Sequence, residues 1–257
     1  MAMIPLPQGL RRRPVAHRAL HDRARGIIEN SPSAIRAAIS AGYAIEIDLQ
    51  LSKDGVAIVF HDEELDRLTH ERGPLNLRDA AELGQIALRD SQDRIPTFED
   101  VLEIVAGQVP LLIEIKDQTL TMAPTDGRLE AETARLLDRY QGEAAVMSFN
   151  PHAIVNMARL APGIARGITT SAYDPVDWAP LDPAICDRLR EIPDYGPSLS
   201  SFISHEAGDL SRPRVAELKA QGADILCWTI RSPGEEAQAR QIADNITFEG
   251  YLAPSGA

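Results

Sequence analysis

Short apolar strand-like segments alternate with capped helical segments from one end of the chain to the other, and this alternation restricts the fold more than any other feature. Strands are predicted near 14–17, 44–50, 110–115, 144–148, 164–168, 201–205, 223–229 and 246–251. Helices are predicted near 32–41, 97–106, 128–140, 151–160, 213–221 and 233–243, with weaker helical character near 182–190. Ser31-Pro32, Asn150-Pro151 and Ser232-Pro233 each set a side chain able to accept an orphan N–H before a proline that fits the first helical position. Thr97 with Asp100 reads as a capping box. Eight strands in βαβ order predict a (β/α)8 TIM barrel, and 257 residues with 44% hydrophobic content suit one such domain spanning 1–257.

Several strands carry charge toward their carboxyl ends. Alternate strand residues share a face, so Glu46 and Asp48 point one way while Ile45, Ile47 and Leu49 point the other. The same period sets Glu114 with Lys116, opposite Ile113 and Ile115. Charges on apolar strands are costly unless paired or bound to a metal, so the pattern marks a site. His17, Glu46, Asp48, Glu114, Ser148, His205 and Trp228 all fall at or near predicted strand ends, where barrel enzymes carry their chemistry. Asp54-Gly55 predicts a tight β-hairpin after the second strand. Pairing Lys53 with Val56 there would set Asp48 opposite His61. Residues 62–96, with Gly73-Pro74 and Gly84, are expected to form a short insertion beside the site.

Three converging carboxylates with no thiolate make a hard-oxygen site, which favours one divalent ion, Ca2+ or Mg2+, on Glu46, Asp48 and Glu114. The alternative is a set of rim carboxylates neutralised by Lys116 and Arg18. His17 and His61 are the acid and base candidates, because imidazole both takes and gives a proton near neutral pH.

These residues, in this order, resemble the glycerophosphodiester phosphodiesterase family. The matching text is Ala16-His17-Arg18, Glu29-Asn30-Ser31, the run from Glu46 to Gly55, and Val59-Phe60-His61-Asp62. Ile95-Pro96-Thr97, Glu114-Ile115-Lys116, Ser148-Phe149 and Trp228-Thr229 follow in family order. Ala19 stands where the family usually has Gly, and Ile230 and Arg231 stand where it often has Asn. The resemblance implies a metal-dependent enzyme acting on glycerophosphodiesters released by phospholipid deacylation. In the implied route one histidine deprotonates the glycerol hydroxyl beside the ester, which attacks phosphorus, while the other protonates the leaving alcohol. Water then opens the cyclic phosphate to give glycerol 3-phosphate. Arg18 and Lys116 suit the charge of a pentacoordinate phosphorane, and Trp228 would wall the glycerol or head-group side.

Two other functions compete: a related barrel that releases a lysophospholipid head group and stops at the cyclic phosphate, and a barrel that only binds phosphorylated metabolites. The second should lack a histidine or a metal carboxylate, and this chain keeps all five. A formal charge of −12 argues against nucleic acid, so a small-molecule substrate is expected. No run of 18 apolar residues predicts a membrane span, and Arg11-Arg12-Arg13 follows rather than precedes the short N-terminal mixed segment, against a signal peptide. A cytoplasmic location is the expectation. Cys186 and Cys227 lie in no Cys-x-x-Cys spacing and read as buried small hydrophobes. Residues 171–200 are expected to form a long loop over the pocket, and oligomeric state is left open.

Overall fold

The alternation becomes a closed barrel in the computed structural model, which describes residues 2–254. The strands are β1 (Val15–Ala16), β2 (Ala44–Leu51), β3 (Ala57–Val59), β4 (Leu111–Ile115), β5 (Ala144–Ser148), β6 (Ala165–Thr170), β7 (Phe202–Glu206), β8 (Asp224–Ile230) and β9 (Asn245–Phe248). All except β3 run parallel in the ring, and β1 pairs with both β2 and β9, which closes it. Closure leaves no free sheet edge among the eight barrel strands. β3 is the extra strand, antiparallel on β2 outside the ring.

The helices are α1 (Gln8–Arg12), α2 (Pro32–Ala41), α3 (Ala80–Leu83), α4 (Phe98–Val105), α5 (Arg128–Leu137), α6 (Pro151–Leu160), α7 (Pro183–Arg190), α8 (Pro213–Ala220) and α9 (Pro233–Ala239). The capping residues act as expected: Ser31 accepts from Ala34 N, Asn150 from His152 N, and Ser232 from Glu235 N. Such caps are each worth about 1 kcal/mol. Thr97 and Asp100 complete both halves of their capping box. α1 and α3, at five and four residues, are too short to show a helical period and were not expected. No helix among the described residues is long and apolar enough to cross a membrane.

Strand parity divides the core in two. Ile45, Ile47, Leu49, Ile113 and Ile115 join the large core between barrel and helices, with Ile35, Val101, Ile154 and Val215. Val15, Ala44, Leu112, Ala145, Met147, Ala165, Phe202 and Leu226 form a second apolar cluster with Leu6 and Leu10 of the N-terminal segment. Gly167 makes room for Phe202 there, since an added Cβ would lie 2.5 Å from its ring. This plug seals one end of the barrel and leaves the polar ends of the same strand faces to form the other.

The hairpin turns differently from the expectation. Ser52, not Lys53, pairs with Val56, donating its N–H to the Val56 carbonyl at 3.0 Å, and Leu49 pairs with Val59. The loop holds three residues, with Gly55 at φ +89°. Asp54 is held inside it by Ser52 Oγ (2.6 Å) and Ala80 N (2.9 Å), which favours the longer loop over a two-residue turn. Phe60 therefore opposes Asp48, donating its N–H to the Asp48 carbonyl at 3.0 Å. His61 follows beyond the strand end, where the pleat no longer fixes side-chain direction, and Gln50 Nε2 holds its carbonyl at 3.1 Å. The segment after it packs a small core of its own, Leu65, Leu68, Leu75, Leu83, Leu88 and Ile95, against Ile28, Ile58 and Phe60.

Candidate active site

Glu46, Asp48 and Glu114 meet at the polar end of the barrel. Their carboxylates each present an oxygen within 4.8 Å of the others, and all three are buried. Register explains the meeting: Asp48 on β2 pairs directly with Glu114 on β4. Lys116 sits between them, with Nζ 2.9 Å from Asp48 Oδ1 and 2.7 Å from Glu114 Oε1. Burial, then the charges of Asp48 and Glu114, hold Glu46 well above the ordinary carboxylate value of 4.5. Asp48 goes the other way: burial opposes its charge, but Lys116, His61 and Arg18 together hold it well below the usual carboxylate range.

Three acidic groups and one ammonium leave an oxygen-rich, electron-dense corner that fits a hard dication. A cation held by Glu46 would need its carboxylate ionised and would expel the proton that crowding favours. Affinity for Ca2+ or Mg2+ should therefore rise with pH above 4.5, through the raised Glu46 value, with proton release visible in calorimetry across buffers of different ionisation heat. Affinity that is flat with pH across that range would show that Glu46 is not a ligand.

The turn after β1 holds Glu46 and Asp48. Arg18 donates its backbone N–H to Glu46 Oε2 (2.8 Å), and Ala19 donates its own to the Glu46 carbonyl (3.0 Å). Both residues lie in the left-handed region, at φ +51° and +64°. That conformation costs a non-glycine residue about 1–2 kcal/mol, which is why glycine suits the position of Ala19. Asn30, also left-handed at φ +58°, donates Nδ2–H to Asp48 Oδ2 (2.9 Å) and accepts the Asp48 N–H at 3.3 Å.

Each histidine is tied to a carboxylate through Nδ1. His17 Nδ1 lies 2.6 Å from Glu249 Oε2, and Arg231 Nε donates to Glu249 Oε1 at 2.8 Å. His61 Nδ1 lies 2.7 Å from Asp62 Oδ1. The hydrogen bond from His17, with His21 Nε2 3.8 Å away, holds Glu249 well below its usual range, while the bonds from His61 and Arg67, working against burial, do the same for Asp62. Ionised carboxylates only accept, so Nδ1 of each ring carries a hydrogen and Nε2 is its remaining nitrogen. Burial lowers the His17 pKa from 6.5 despite the Glu249 bond, which keeps that ring neutral at pH 7. Beyond Asp62 the chain of pairs continues through Arg67 and Glu29 to Arg18, each contact 2.6–2.8 Å.

His17, Arg18, Glu46, Asp48, His61, Glu114, Lys116 and Trp228 all line one pocket of about 160 Å³, so the acid–base, metal and substrate candidates meet there, whereas Ser148 and His205 do not reach it. Trp228 donates Nε1–H to the Ser204 carbonyl (3.0 Å) and meets Phe149 edge-on at 5.5 Å. A wider groove of about 610 Å³ adjoins the pocket through Glu114, Lys116 and Phe149 and continues past Glu63, Asp117 and Trp178. His205 is fully buried but its ring is bound by Thr170 and Asp209, away from the pocket, and Ser148 donates to the Ile115 carbonyl. Both cysteines are buried and unpaired. Glu249, Asp62, Glu29, Arg67 and Arg231 were not chosen from the sequence. Glu29 and Asp62 lay inside the matched motifs, whereas nothing local signals Glu249, 232 residues from its histidine.

The sequence profile of the glycerophosphoryl diester phosphodiesterase family matches residues 17–247. A glycerophosphodiester phosphodiesterase of Bacillus subtilis is 28% identical over 218 residues, 78% of this chain and 70% of that protein. One from Caldanaerobacter subterraneus subsp. tengcongensis is 29% identical over 164 residues, 60% of this chain and 65% of that protein. Among solved structures, an Oleispira antarctica phosphodiesterase in complex with the product sn-glycerol 3-phosphate superposes with a TM-score of 0.73 at 24% identity, covering 91% of each chain. That likeness establishes the barrel fold.

Proposed function

The chain belongs to the glycerophosphoryl diester phosphodiesterase family, and from that premise we propose that it works as a single barrel domain hydrolysing glycerophosphodiesters to glycerol 3-phosphate and a free alcohol. One divalent ion, Ca2+ or Mg2+, is held by Glu46, Asp48 and Glu114, and His17 and His61 move the protons. The observation that carries this reading is that two imidazoles, each fixed at Nδ1 by a carboxylate, border the same small pocket as the carboxylate cluster. The activity named for the Bacillus subtilis relative and the product held by the Oleispira antarctica enzyme support it.

When bound, the ion supplies Lewis-acid stabilisation of a non-bridging phosphate oxygen. The rest falls to the protein. Arg18 Nε is buried with no hydrogen-bond partner, 3.7 Å from Asp48 Oδ2, and with Lys116 it offers N–H donors to the charge that builds on phosphorus. Neutral His17 takes the proton of the glycerol hydroxyl next to the ester through Nε2, and the freed oxygen attacks phosphorus. The bond from phosphorus to the alcohol breaks, and His61 gives that oxygen a proton. Its place fits this role, because the wide groove beside it includes the neighbouring Glu63 and Glu64 and has room for the departing alcohol. In the second step the roles reverse: His61 takes a proton from water, hydroxide opens the cyclic phosphate, and His17 returns its proton to the glycerol oxygen.

Glu249 then acts as a positioning residue for His17. Glu249→Gln should lower kcat by about tenfold to a hundredfold with little change in KM, the scale seen when a partner behind a working imidazole is lost. It should also move the acidic limb of the rate–pH profile down, since the carboxylate that favours the charged ring is gone. Unaltered kcat and an unmoved limb would show that the Glu249 contact is only structural. The function itself is tested by assaying glycerophosphocholine, glycerophosphoethanolamine, glycerophosphoglycerol and glycerophosphoinositol after chelation and after adding back Ca2+, Mg2+ or Mn2+. Activity is expected only with a cation restored, and activity unchanged by exhaustive chelation would contradict the metal assignment.

A further inference from the structure

Across the lumen from the carboxylates, three side-chain hydroxyls line the same pocket: Thr169 on β6, Ser204 on β7 and Thr247 on β9. They are at most 1% exposed, and none has a hydrogen-bond partner in the protein. Two other buried hydroxyls near the carboxyl ends of the strands do find partners: Thr170 binds His205 and Ser148 the Ile115 carbonyl. An unsatisfied buried hydroxyl is destabilising, so three lining one pocket point to a ligand that satisfies them. Thr169 and Ser204 are register partners on adjacent strands, which sets their hydroxyls side by side. Thr247 stands on the strand next to β1, which leads into His17.

We propose that Thr169, Ser204 and Thr247 form the subsite that reads the glycerol half of the substrate. The inference rests on the phosphodiesterase reading for the identity of the ligand, and its own content is the division of the pocket. Lys116 and Arg18 lie on the phosphate side with the carboxylates. β6 and β7, and β9 on the far side of β8, offer these neutral groups that both donate and accept, the complement of a neutral polyol. A cationic alcohol would meet no carboxylate among these three side chains, and an acyl chain would leave the hydroxyls unpaired. The pocket volume of about 160 Å³ fits a small polyol phosphate, with the larger alcohol in the adjoining groove. Glycerol seated there has its hydroxyl beside the ester near His17.

The test compares binding of sn-glycerol 3-phosphate with that of propane-1,2-diol 1-phosphate, which keeps the hydroxyl next to the ester and lacks the terminal one. Calorimetry with Ca2+ present is run on the intact chain and on Thr169→Val, Ser204→Ala and Thr247→Val. The intact chain should favour the glycerol compound by about tenfold or more, the value of one well-made buried hydrogen bond, and at least one substitution should erase most of that preference. Thr169→Ser and Thr247→Ser keep a hydroxyl and should keep the preference, which separates loss of the group from a disturbed fold. Equal binding of the two compounds by the intact chain, or a preference that survives all three substitutions, overturns the proposal. Turnover of the two methyl esters is measured in parallel. A binding preference without ester cleavage would retain the subsite and overturn the phosphodiesterase reading, while cleavage without preference would do the reverse.

Discussion

His61→Ala is expected to lower kcat by about a hundredfold or more, with metal affinity little changed. In the proposed route His61 gives the leaving alcohol its proton, and without it a poor leaving group would have to depart as an alkoxide or draw on water. The variant is informative because removing the ring strands no charge: Asp62 keeps both of its contacts from Arg67, Nε at 2.6 Å and Nη2 at 2.8 Å. The melting temperature should therefore stay close to that of the unaltered chain. His17→Ala should match it in turnover, and Glu249 there keeps Arg231. The pH profile of the unaltered chain should be bell-shaped, with both limbs belonging to the coupled pair. Near-normal turnover in His61→Ala would mean that its position beyond the hairpin serves binding or structure rather than proton transfer.

A glycerophosphodiester whose hydroxyl next to the ester is replaced by hydrogen should bind and not turn over. It keeps the phosphate, and so keeps the contacts offered by Lys116 and Arg18, but it has no internal nucleophile. A nucleophile held against phosphorus has an effective concentration of roughly 10⁵ M or more in well-oriented systems, which bulk water does not replace. The compound should act as a competitive inhibitor. Cleavage at a rate comparable to that of the parent would instead favour direct attack by a water molecule, and the proton from the vicinal hydroxyl would no longer be the one His17 removes.

The barrel and its carboxylate cluster were legible in the sequence for one reason: strand period. Ile45, Ile47 and Leu49 had to face the helices, so Glu46 and Asp48 had to face the lumen, and β2 does both. Proline-led caps fixed where the helices start, and α2 and α6 begin at Pro32 and Pro151 as read. Strand ends alone misled at His205. Its partner in register is Thr170, and both side chains lie on the outer face, so a histidine at the right height points the wrong way. The hairpin misled by one residue because Asp54 is bound by Ser52 and Ala80, and Ala80 belongs to an insertion whose packing has no local signature. Glu249 was invisible for the same kind of reason: its role appears only when β9 closes the barrel against β1. Thr169, Ser204 and Thr247 look like ordinary strand residues, since β-branched and hydroxyl side chains are common there. Only their unpaired burial distinguishes them.

The most direct measurement of the central claim is phosphorus NMR of glycerophosphoethanolamine incubated with the chain and Ca2+ or Mg2+. The diester signal should give way to that of glycerol 3-phosphate with release of ethanolamine, any cyclic phosphate being transient. A reaction that ends at the cyclic phosphate, or a diester left intact with every cation supplied, would contradict it.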